Sequence, residues 1–358
     1  MKPSVGILAV DTYLPEKVRT NDEWPSHVVE SWTQRMSNIV PRSEASVDTV
    51  TDGVRRALDA ITALGDDPFQ GVRTVRVIAE EDGSSDLEAR AAKLALERAG
   101  VRPDEIDLLL SHPMVPDLMC VNPASAVHEK VGLRREAPAF GLEGVCTSFI
   151  LQLDLARKAV LADDAKRILV TQSSACTRVM PDDAPFSPWF GDAGGAAVLG
   201  ESEPGYGLLS TSFRTWGSLS RAFCATVPGG RWHDGGGRVV ACNEDRAAAR
   251  RMQLEAPDIG KEIIADVLQK AGVRHDEVSY FACHQPAAWF PEVCRAHSGL
   301  VNAKVMPTFS WTGNLSSVNI PMQLAVASKE GLLKRGDVVV LFALASGMMA
   351  AGAVMRWM

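Results

Sequence analysis

The chain of 358 residues is long enough for two domains or for one large two-lobed α/β unit. Its 46% hydrophobic and 23% charged residues are ordinary for a globular protein and exclude a largely disordered chain. The net charge of −7 gives no long-range attraction for nucleic acid or an anionic membrane, so an anionic ligand must be held locally.

The amino-terminal segment and the cysteines predict a cytoplasmic protein. The apolar stretch before Asp11 is too short for the core of a signal peptide and indicates a first strand. The seven cysteines include no CxxC pair, so reduced thiols are expected. Cys294 and His297 have CxxH spacing, but no second pair stands at zinc spacing, and neither a metal site nor another cofactor is expected.

A repeated pattern runs through the chain. Residues 99–112, AGVRPDEIDLLLSH, and residues 271–284, AGVRHDEVSYFACH, align at a constant offset, and each copy follows an amphipathic helix. The alternative is a chance likeness, because glycine after a helix is common. We predict a duplicated helix–turn–strand unit, with one half at residues 1–205 and the other at residues 206–358.

Cys146 lies where a short apolar strand, APAFGLEGV, gives way to an apolar helix that begins near Thr147 or Ser148. A thiol at a helix amino terminus faces unpaired backbone N–H groups and the positive end of the dipole, which lower its pKa and favour the thiolate. This placement predicts a nucleophile. The alternative is a small buried core residue, which is the interpretation for the other six cysteines.

Two glycine-containing segments follow. Residues 190–200, FGDAGGAAVLG, match neither the dinucleotide-binding nor the P-loop pattern, and we predict a tight turn beside a sheet. Residues 227–238, VPGGRWHDGGGR, combine five glycines with charged residues and indicate a surface loop.

Two polar side chains of the second half stand at element ends. His284 ends an apolar strand, and ligands collect at the carboxyl ends of strands in α/β sheets. Asn314 lies in a glycine-containing turn before a helix, where its amide either caps the helix or donates to a developing oxyanion. A structural role is the alternative for His284 and the interpretation for His112. Cys146, His284 and Asn314 together predict an acyl-thioester site.

The carboxyl-terminal run, residues 338–355, is uncharged and close to the length of a membrane span. Its many alanines and glycines make it weakly hydrophobic, which favours two buried strands joined by a tight turn over a tail anchor. No membrane association is expected.

The motifs GVCTSF, FGDAGGAAVL, HQPA, GNLSSVNIP and the ending AGAVMRW resemble the β-ketoacyl-acyl-carrier-protein synthase III group of the thiolase superfamily. The resemblance covers nearly the whole chain and keeps the Cys-His-Asn order of that group. It implies an α/β, thiolase-like, duplicated αβαβα layered fold with two mixed five-stranded sheets. It also implies a homodimer with the sheets joined across the interface.

The resemblance implies a role for each site residue. Cys146 would attack an acyl thioester of coenzyme A or of an acyl carrier protein, and the backbone N–H groups of Cys146 and Gly347 would hold the oxyanion. His284 and Asn314 would bind the carbonyl of a malonyl-type thioester and stabilise the enolate that remains after decarboxylation. The enolate would then attack the acyl-Cys.

Departures from the group's motifs concern the substrate. Its usual HQAN is HQPA here, with Ala287 in place of the asparagine, and Trp289 replaces a common arginine, which puts a phosphate contact in doubt. Its triple-glycine loop is Ser346-Gly347-Met348, which would reshape the cavity beside the nucleophile. Ser346, Met348, Ala287 and Trp289 are therefore predicted to line a pocket for a primer other than acetyl, as in relatives from specialised polyketide pathways.

Several functions fit such a site. Decarboxylative Claisen condensation is the main hypothesis, and transfer of the acyl group from Cys146 to a hydroxyl or amine of a small natural-product acceptor is the alternative. The retained Asn314 favours condensation. A hydroxymethylglutaryl-type synthase needs a glutamate base where the chain offers only Asp117, and a non-catalytic partner subunit would be expected to lack the three residues.

Overall fold

The computed structural model describes residues 4–36, 50–65 and 67–358. The strands are β1 (Ser4–Tyr13), β2 (Val18–Thr20), β3 (Thr74–Arg76), β4 (Leu108–Pro113), β5 (Ala139–Gly141), β6 (Arg167–Ala175), β7 (Asp192–Ser202), β8 (Gly207–Thr215), β9 (Cys224–Thr226), β10 (Val240–Cys242), β11 (Val278–Cys283), β12 (Val338–Ala345) and β13 (Met349–Arg356). The helices are α1 (Ser26–Met36), α2 (Asp52–Ala63), α3 (Ser84–Ala99), α4 (Ala124–Val131), α5 (Ser148–Leu161), α6 (Arg246–Leu254), α7 (Ala256–Ala271), α8 (Phe290–His297), α9 (Phe309–Thr312) and α10 (Asn319–Lys329).

Two mixed sheets form the core of the fold. The first has five strands in the order β1-β7-β6-β4-β5, in which β4 runs parallel to β5 and β6. The second has four strands in the order β11-β12-β13-β8, in which β11 runs parallel to β12. Helices α3 and α4 cover the outer face of the first sheet, α7 and α8 cover that of the second, and α5 and α10 lie between the sheets. The layers therefore follow the predicted αβαβα order.

The prediction of five strands in the second sheet is wrong for the described residues. At the β11 edge, only an isolated parallel bridge joins Tyr280 to Lys304. The backbone of Lys304 accepts from Phe281 at 2.8 Å and donates to Ser279 at 3.0 Å. Pro307 follows closely and has no N–H group to continue a ladder, so the segment leaves the sheet.

The repeated segments share their backbone geometry. Helices α3 and α7 each have 16 residues and end at a left-handed glycine, Gly100 with φ 63° and Gly272 with φ 66°. Glycine is favoured at such positive φ because it has no Cβ. The predicted division near residue 205 falls between β7 of the first sheet and β8 of the second, and it stays a prediction.

The carboxyl-terminal run forms β12 and β13, which pair antiparallel from Val338–Arg356 to Ala345–Met349. Nearly all of their side chains are buried, which explains the continuous apolar sequence. The prediction of two buried strands is confirmed. Among the described residues, no helix has the length and apolar character needed to cross a membrane.

The glycine-rich segment at residues 190–200 is not the predicted tight turn, because most of it belongs to the buried strand β7. A Cβ on Gly194 would collide with the carbonyl of Leu87 in α3, and one on Gly195 would lie 3.1 Å from Val318. The glycines therefore let other segments pack closely on both faces of the strand. Residues 227–238 are largely exposed between β9 and β10, as predicted for a surface loop.

Candidate active site

The nucleophile candidate stands on a strained turn before α5. A 3₁₀ turn at Val145–Thr147 leads directly into the helix, and Val145 has φ 49°. This left-handed conformation is costly for a β-branched residue, so the surroundings must hold it. The Val145 N–H donates to Glu143 Oε1 at 2.7 Å, and the Gly144 N–H donates to Ser148 Oγ at 3.0 Å. Cys146 thus lies at the helix amino terminus, as predicted, with 8% exposure.

His284 follows the last residue of β11, and its backbone N–H donates to the carbonyl of Phe342 at 2.9 Å. The imidazole is 4% exposed, and its Nε2 lies 3.1 Å from Oδ1 of Asn314. The structure therefore brings the two polar side chains into direct contact across 30 residues of sequence.

The Asn314 loop is held by the segment that precedes β7. The Asn314 N–H donates to the carbonyl of Trp189 at 2.6 Å, and its carbonyl accepts from the Gly191 N–H at 3.3 Å. Gly313 has φ 66°, and a Cβ there would lie 2.6 Å from the Trp189 carbonyl oxygen. A Cβ on Gly191 would collide with the carbonyl of Thr312. The two glycines therefore allow the close backbone approach that fixes Asn314.

Ser316 connects the thiol to the amide. Its hydroxyl oxygen lies 3.4 Å from Sγ of Cys146, and its backbone N–H donates to Oδ1 of Asn314 at 2.8 Å. Ser316 has φ 52° and begins a 3₁₀ turn that leads into α10, as Val145 does before α5. Sequence reasoning did not identify this residue. The sequence signal that could have identified it is the likeness between GVCTSF and GNLSSVNIP, because both segments precede a central helix.

The hydrogen bonds around Asn314 assign its donors and acceptors. A backbone N–H can only donate, so the atom that faces the Ser316 N–H is the amide oxygen. The contact with His284 then requires a proton on Nε2. Within the described part of the chain, the Asn314 NH₂ group makes no hydrogen bond, and it remains available to a ligand.

The ionisation of the thiol differs from the prediction. Burial raises the pKa of Cys146 to about 11, and Glu143 adds to the rise, while the Ser316 hydroxyl opposes it. The expectation of a lowered pKa is wrong because a thiolate in this closed site loses more hydration than the helix terminus and Ser316 replace. Burial also lowers the pKa of His284 to about 4, so the imidazole is a neutral donor at pH 7.

The predicted oxyanion donors are Cys146 and Gly347. Gly347 has φ 109° in the turn between β12 and β13, and both strands contact the turn that carries Cys146. Within the described residues, the Gly347 N–H makes no backbone hydrogen bond, whereas the Cys146 N–H interacts with the residue's own thiol. The binding of an oxyanion by these two groups stays a prediction.

Three of the predicted pocket residues belong to one buried apolar cluster. Ala287, Trp289 and Met348 share it, and Met348 has no exposed surface. Phe290 of the same cluster lies with its ring centroid 6.3 Å from that of His284. Ser346 is half-buried at the start of the β12–β13 turn. Their contact with a substrate stays a prediction.

Two other residues named from the sequence have structural partners. His112 is buried, and its Nδ1 lies 3.0 Å from the carbonyl of Leu142. Asp117 accepts from the backbone N–H of Ser84 at 2.5 Å and from the hydroxyl of Ser85 at 2.5 Å, so it caps the amino terminus of α3. Asp117 therefore serves the fold, and it is not a base in the site.

Comparisons with known proteins relate two segments of the chain to one enzyme family. A family model described as 3-oxoacyl-acyl-carrier-protein synthase III matches residues 140–217, and the model of that family's C-terminal part matches residues 268–357. The chain is similar to a β-ketoacyl-acyl-carrier-protein synthase III of Syntrophomonas wolfei, at 29% identity over 99% of this chain and 97% of the relative.

Solved structures give the same picture. The chain is similar to 3-oxoacyl-acyl-carrier-protein synthase III of Aquifex aeolicus VF5, with a TM-score of 0.77 and 25% identity over 99% of this chain and 100% of the other. The priming β-ketosynthase of the R1128 polyketide pathway has a TM-score of 0.81 over 99% of this chain and 97% of its own. At 22% identity, that likeness shows the thiolase-like fold alone.

Proposed function

We propose that this chain, a β-ketoacyl-acyl-carrier-protein synthase III-like acyltransferase, joins an acyl thioester to a malonyl-type thioester by decarboxylative Claisen condensation. The acyl group is carried on Cys146 between two half-reactions. The donor and extender are thioesters of coenzyme A or of an acyl carrier protein, as the family implies.

In the first half-reaction, Sγ of Cys146 attacks the acyl carbonyl, and the donor leaves as its free thiol. The negative charge that develops on the carbonyl oxygen is bound by the backbone N–H groups of Cys146 and Gly347. Because the resting thiol is neutral, it must lose its proton as it attacks, and a proton is returned to the sulfur of the departing donor. The Ser316 hydroxyl, 3.4 Å from the sulfur, stabilises the thiolate as it forms.

In the second half-reaction, the free NH₂ group of Asn314 donates to the thioester carbonyl of the extender. The Nε2–H of His284, which donates to Asn314 Oδ1 in this structure, shifts to the same carbonyl oxygen. Loss of carbon dioxide leaves an enolate, and neutral N–H donors placed at its oxygen stabilise the charge where it appears. The enolate carbon attacks the acyl-Cys, and the β-ketoacyl thioester leaves as the sulfur of Cys146 is released.

The observation that carries the proposal is the chain of contacts from Cys146 through Ser316 to Asn314 and His284. These four residues lie in one buried site, at 3.4, 2.8 and 3.1 Å between successive partners, which supports roles as a nucleophile and two neutral donors. Acyl transfer to a hydroxyl or amine would need the thiol, an oxyanion hole and a base such as His284, but it has no use for the amide donor of Asn314. The arrangement therefore favours condensation.

The departures from the family motifs support a primer other than acetyl. The family's Asn and Arg positions are Ala287 and Trp289, and both side chains are buried in apolar surroundings with Met348. We place the enzyme in the priming of a specialised polyketide or related acyl chain on this basis. A cytoplasmic location belongs to the same proposal.

Intact-mass spectrometry with carbon dioxide detection tests the function. The enzyme is incubated with a panel of acyl thioesters, and malonyl-coenzyme A or a malonyl-carrier protein is then added. We expect an acyl adduct on Cys146, followed by release of carbon dioxide and a β-ketoacyl product. Cys146→Ala should abolish the adduct, whereas the matched control Cys294→Ala, in a buried cysteine of α8, should keep it.

The outcomes separate the hypotheses. An adduct that passes to an alcohol or amine without loss of carbon dioxide would support the acyltransferase alternative. If none of the thioesters acylates the enzyme, both hypotheses are wrong.

We also propose a homodimer formed through the β5 edge of the first sheet. This edge strand has no further partner within the described chain, and Phe140 on it is 53% exposed. A short apolar segment a few residues after β4 is also exposed: Leu118 at 67%, Met119 at 60% and Val121 at 54%. An unpaired strand edge and exposed apolar side chains favour association with a second copy.

Light scattering on the protein as it elutes from a size-exclusion column tests this interface. Phe140→Asp should convert a dimer into a monomer, and Val301→Asp should not, because Val301 is 70% exposed in the second half of the chain. A monomer for the unchanged protein at micromolar concentration would contradict the homodimer.

A further inference from the structure

Two cysteines outside the proposed site face each other on a small ribbon. Cys224 begins β9 and Cys242 ends β10, and the antiparallel register pairs them directly. Their sulfur atoms are 3.9 Å apart, and both side chains are partly exposed. Both cysteines are free thiols. The proposed reaction uses neither of them.

The backbone at this pair meets the requirements of a disulfide. Residues directly opposite in an antiparallel pair point to the same face, with Cα atoms about 4.5 to 5.5 Å apart. Disulfides span Cα distances of about 4.4 to 6.8 Å. The sulfur atoms of Cys224 and Cys242 are already 3.9 Å apart, so small side-chain rotations suffice to bring them to bonding distance.

We propose that Cys224 and Cys242 form a reversible disulfide, and that this bond controls the rigidity of the backbone segment beside Asn314. In the reduced state the ribbon is joined by its backbone hydrogen bonds alone. In the oxidised state a covalent bond ties its two strands together at the end opposite the exposed 227–238 loop.

The ribbon contacts the segment that holds Asn314. The Ala241 N–H donates to the carbonyl of Val179 at 2.7 Å. Phe223, which directly precedes Cys224, stacks on Phe190 with ring centroids 5.9 Å apart and planes inclined by 4°. Phe190 in turn forms a backbone bridge with Asn314. A bond at the thiol pair therefore reaches the Asn314 loop through one aromatic stack.

The oxidation needs a two-electron acceptor, and a low-molecular-weight disulfide such as oxidised glutathione supplies it. One cysteine thiolate attacks the reagent and releases a first glutathione, leaving a mixed disulfide on the protein. The second cysteine displaces the other glutathione and closes the intramolecular bond. The protein loses two hydrogens, and one oxidised glutathione becomes two reduced molecules.

The pair is protected at neutral pH. Burial raises the pKa of Cys224 to about 12, and the neighbouring Cys242 and Glu244 add to the rise. Exchange proceeds through the thiolate, so it is slow near pH 7 and accelerates as the pH rises. A mildly alkaline reaction is therefore the condition of choice.

The first experiment detects the bond and does not depend on activity. The full chain with Cys120→Ser, which removes an exposed thiol, is treated with oxidised glutathione at mildly alkaline pH. We expect a product two hydrogens lighter, with the bond mapped to Cys224 and Cys242, that dithiothreitol reverses. Cys224→Ser and Cys242→Ser should each prevent it. Thiols that stay reduced, or that carry only separate glutathione adducts, would overturn the proposal.

The second experiment measures the effect on the site, and it rests on the proposed function. Oxidation should change the rate of malonyl-thioester decarboxylation several-fold while alkylation of Cys146 keeps its rate, and reduction should restore the original rate. The same treatment of Cys224→Ser should leave decarboxylation unchanged. A mapped disulfide without any effect on the rate would overturn the coupling to Asn314, and the mass result would stand apart from any failure of the condensation hypothesis.

Discussion

His112 lies near the end of β4 and His284 directly follows β11, at corresponding positions of the two repeated segments, and both rings are buried. Their hydrogen bonds differ. Nδ1 of His112 lies 3.0 Å from the carbonyl of Leu142, so that nitrogen carries the proton. Nε2 of His284 lies 3.1 Å from Oδ1 of Asn314, so the other nitrogen carries it there. The two rings therefore hold the proton on different nitrogens, and the Nε2–H of His284 donates to Asn314.

The turns before the central helices α5 and α10 are likewise similar in backbone and different in side chains. Val145 and Ser316 both have a left-handed backbone, with φ 49° and 52°, and both begin a 3₁₀ turn. The next residue is Cys146 in one copy and Ser317 in the other. Two similar backbone turns thus meet at one site, one with Cys146 and the other with the Ser316 hydroxyl that contacts it. The two turns differ in their side chains.

Substitution of His284 gives the largest expected effect. His284→Ala removes the Nε2 donor, and decarboxylation should fall by about 10² to 10³, the usual effect of losing one such donor. Acylation of Cys146 should change much less, because that step uses the backbone donors. Carbon dioxide release and acyl-adduct formation are measured on the same preparation.

Two isosteric variants sharpen the comparison of tautomers. A glutamine amide reaches the position of Nε2, whereas an asparagine amide reaches that of Nδ1. His284→Gln should therefore retain more decarboxylation activity than His284→Asn. Equal losses for both would mean that Nε2 is not the donor that matters.

The pH dependence of Cys146 alkylation gives the next largest effect. With a pKa of about 11, the thiolate fraction should rise about tenfold per pH unit across the neutral and mildly alkaline range. Iodoacetamide labelling of Cys146, followed by peptide mass spectrometry in a Cys120→Ser background, measures this slope. A plateau already reached near pH 7 would mean that the helix amino terminus lowers the pKa of Cys146 more than burial raises it.

Substitution of Ser316 should have a smaller effect on the same measurement. Ser316→Ala removes the hydroxyl that contacts Sγ, and a hydrogen bond to a charged group contributes about 1.5 kcal/mol or more. Alkylation of Cys146 at fixed pH should fall about tenfold. Ser317→Ala is the matched control, since the buried Ser317 hydroxyl has no hydrogen-bond partner among the described residues. Similar losses in both variants would point to a general structural effect.

Local sequence patterns were sufficient for many of the elements and for the positions of Cys146, His284 and Asn314 at element ends. Cys146 stands at a strand-to-helix junction, His284 at a strand end, and Asn314 in a glycine turn, and each position follows from spacing that the sequence displays. The family resemblance then indicated that the three residues belong to one site. The repeat was visible as well, because its turn and helix signals are local.

Features that depend on tertiary contacts were missed. The pKa of Cys146 depends on how deeply the thiol is buried, which no local pattern records. The role of Ser316 depends on its backbone N–H and on a left-handed φ that serine rarely adopts. The glycines of β7 resemble a turn in sequence, but they allow the close approach of α3. In each case a contact from a distant segment decides the outcome.

Substitution of His112 should have the smallest effect on catalysis. It tests whether this histidine has a structural role only. His112→Asn keeps a donor near the Nδ1 position and should preserve the bond to the Leu142 carbonyl, whereas His112→Gln should leave that carbonyl without its partner. The free energy of unfolding should be lower for the glutamine variant by about 1 to 3 kcal/mol, measured by urea denaturation.

The pH dependence of stability separates the role of the His112 ring from that of the hydrogen bond. Burial lowers the pKa of His112, so the unfolded chain binds a proton that the folded chain excludes. As the pH falls below about 6.5, the unchanged protein should therefore lose stability relative to His112→Asn, which has no titrating ring. Decarboxylation should stay near its original rate in His112→Asn. A loss comparable to that of His284→Ala would give both copies a catalytic histidine and would end the distinction between them.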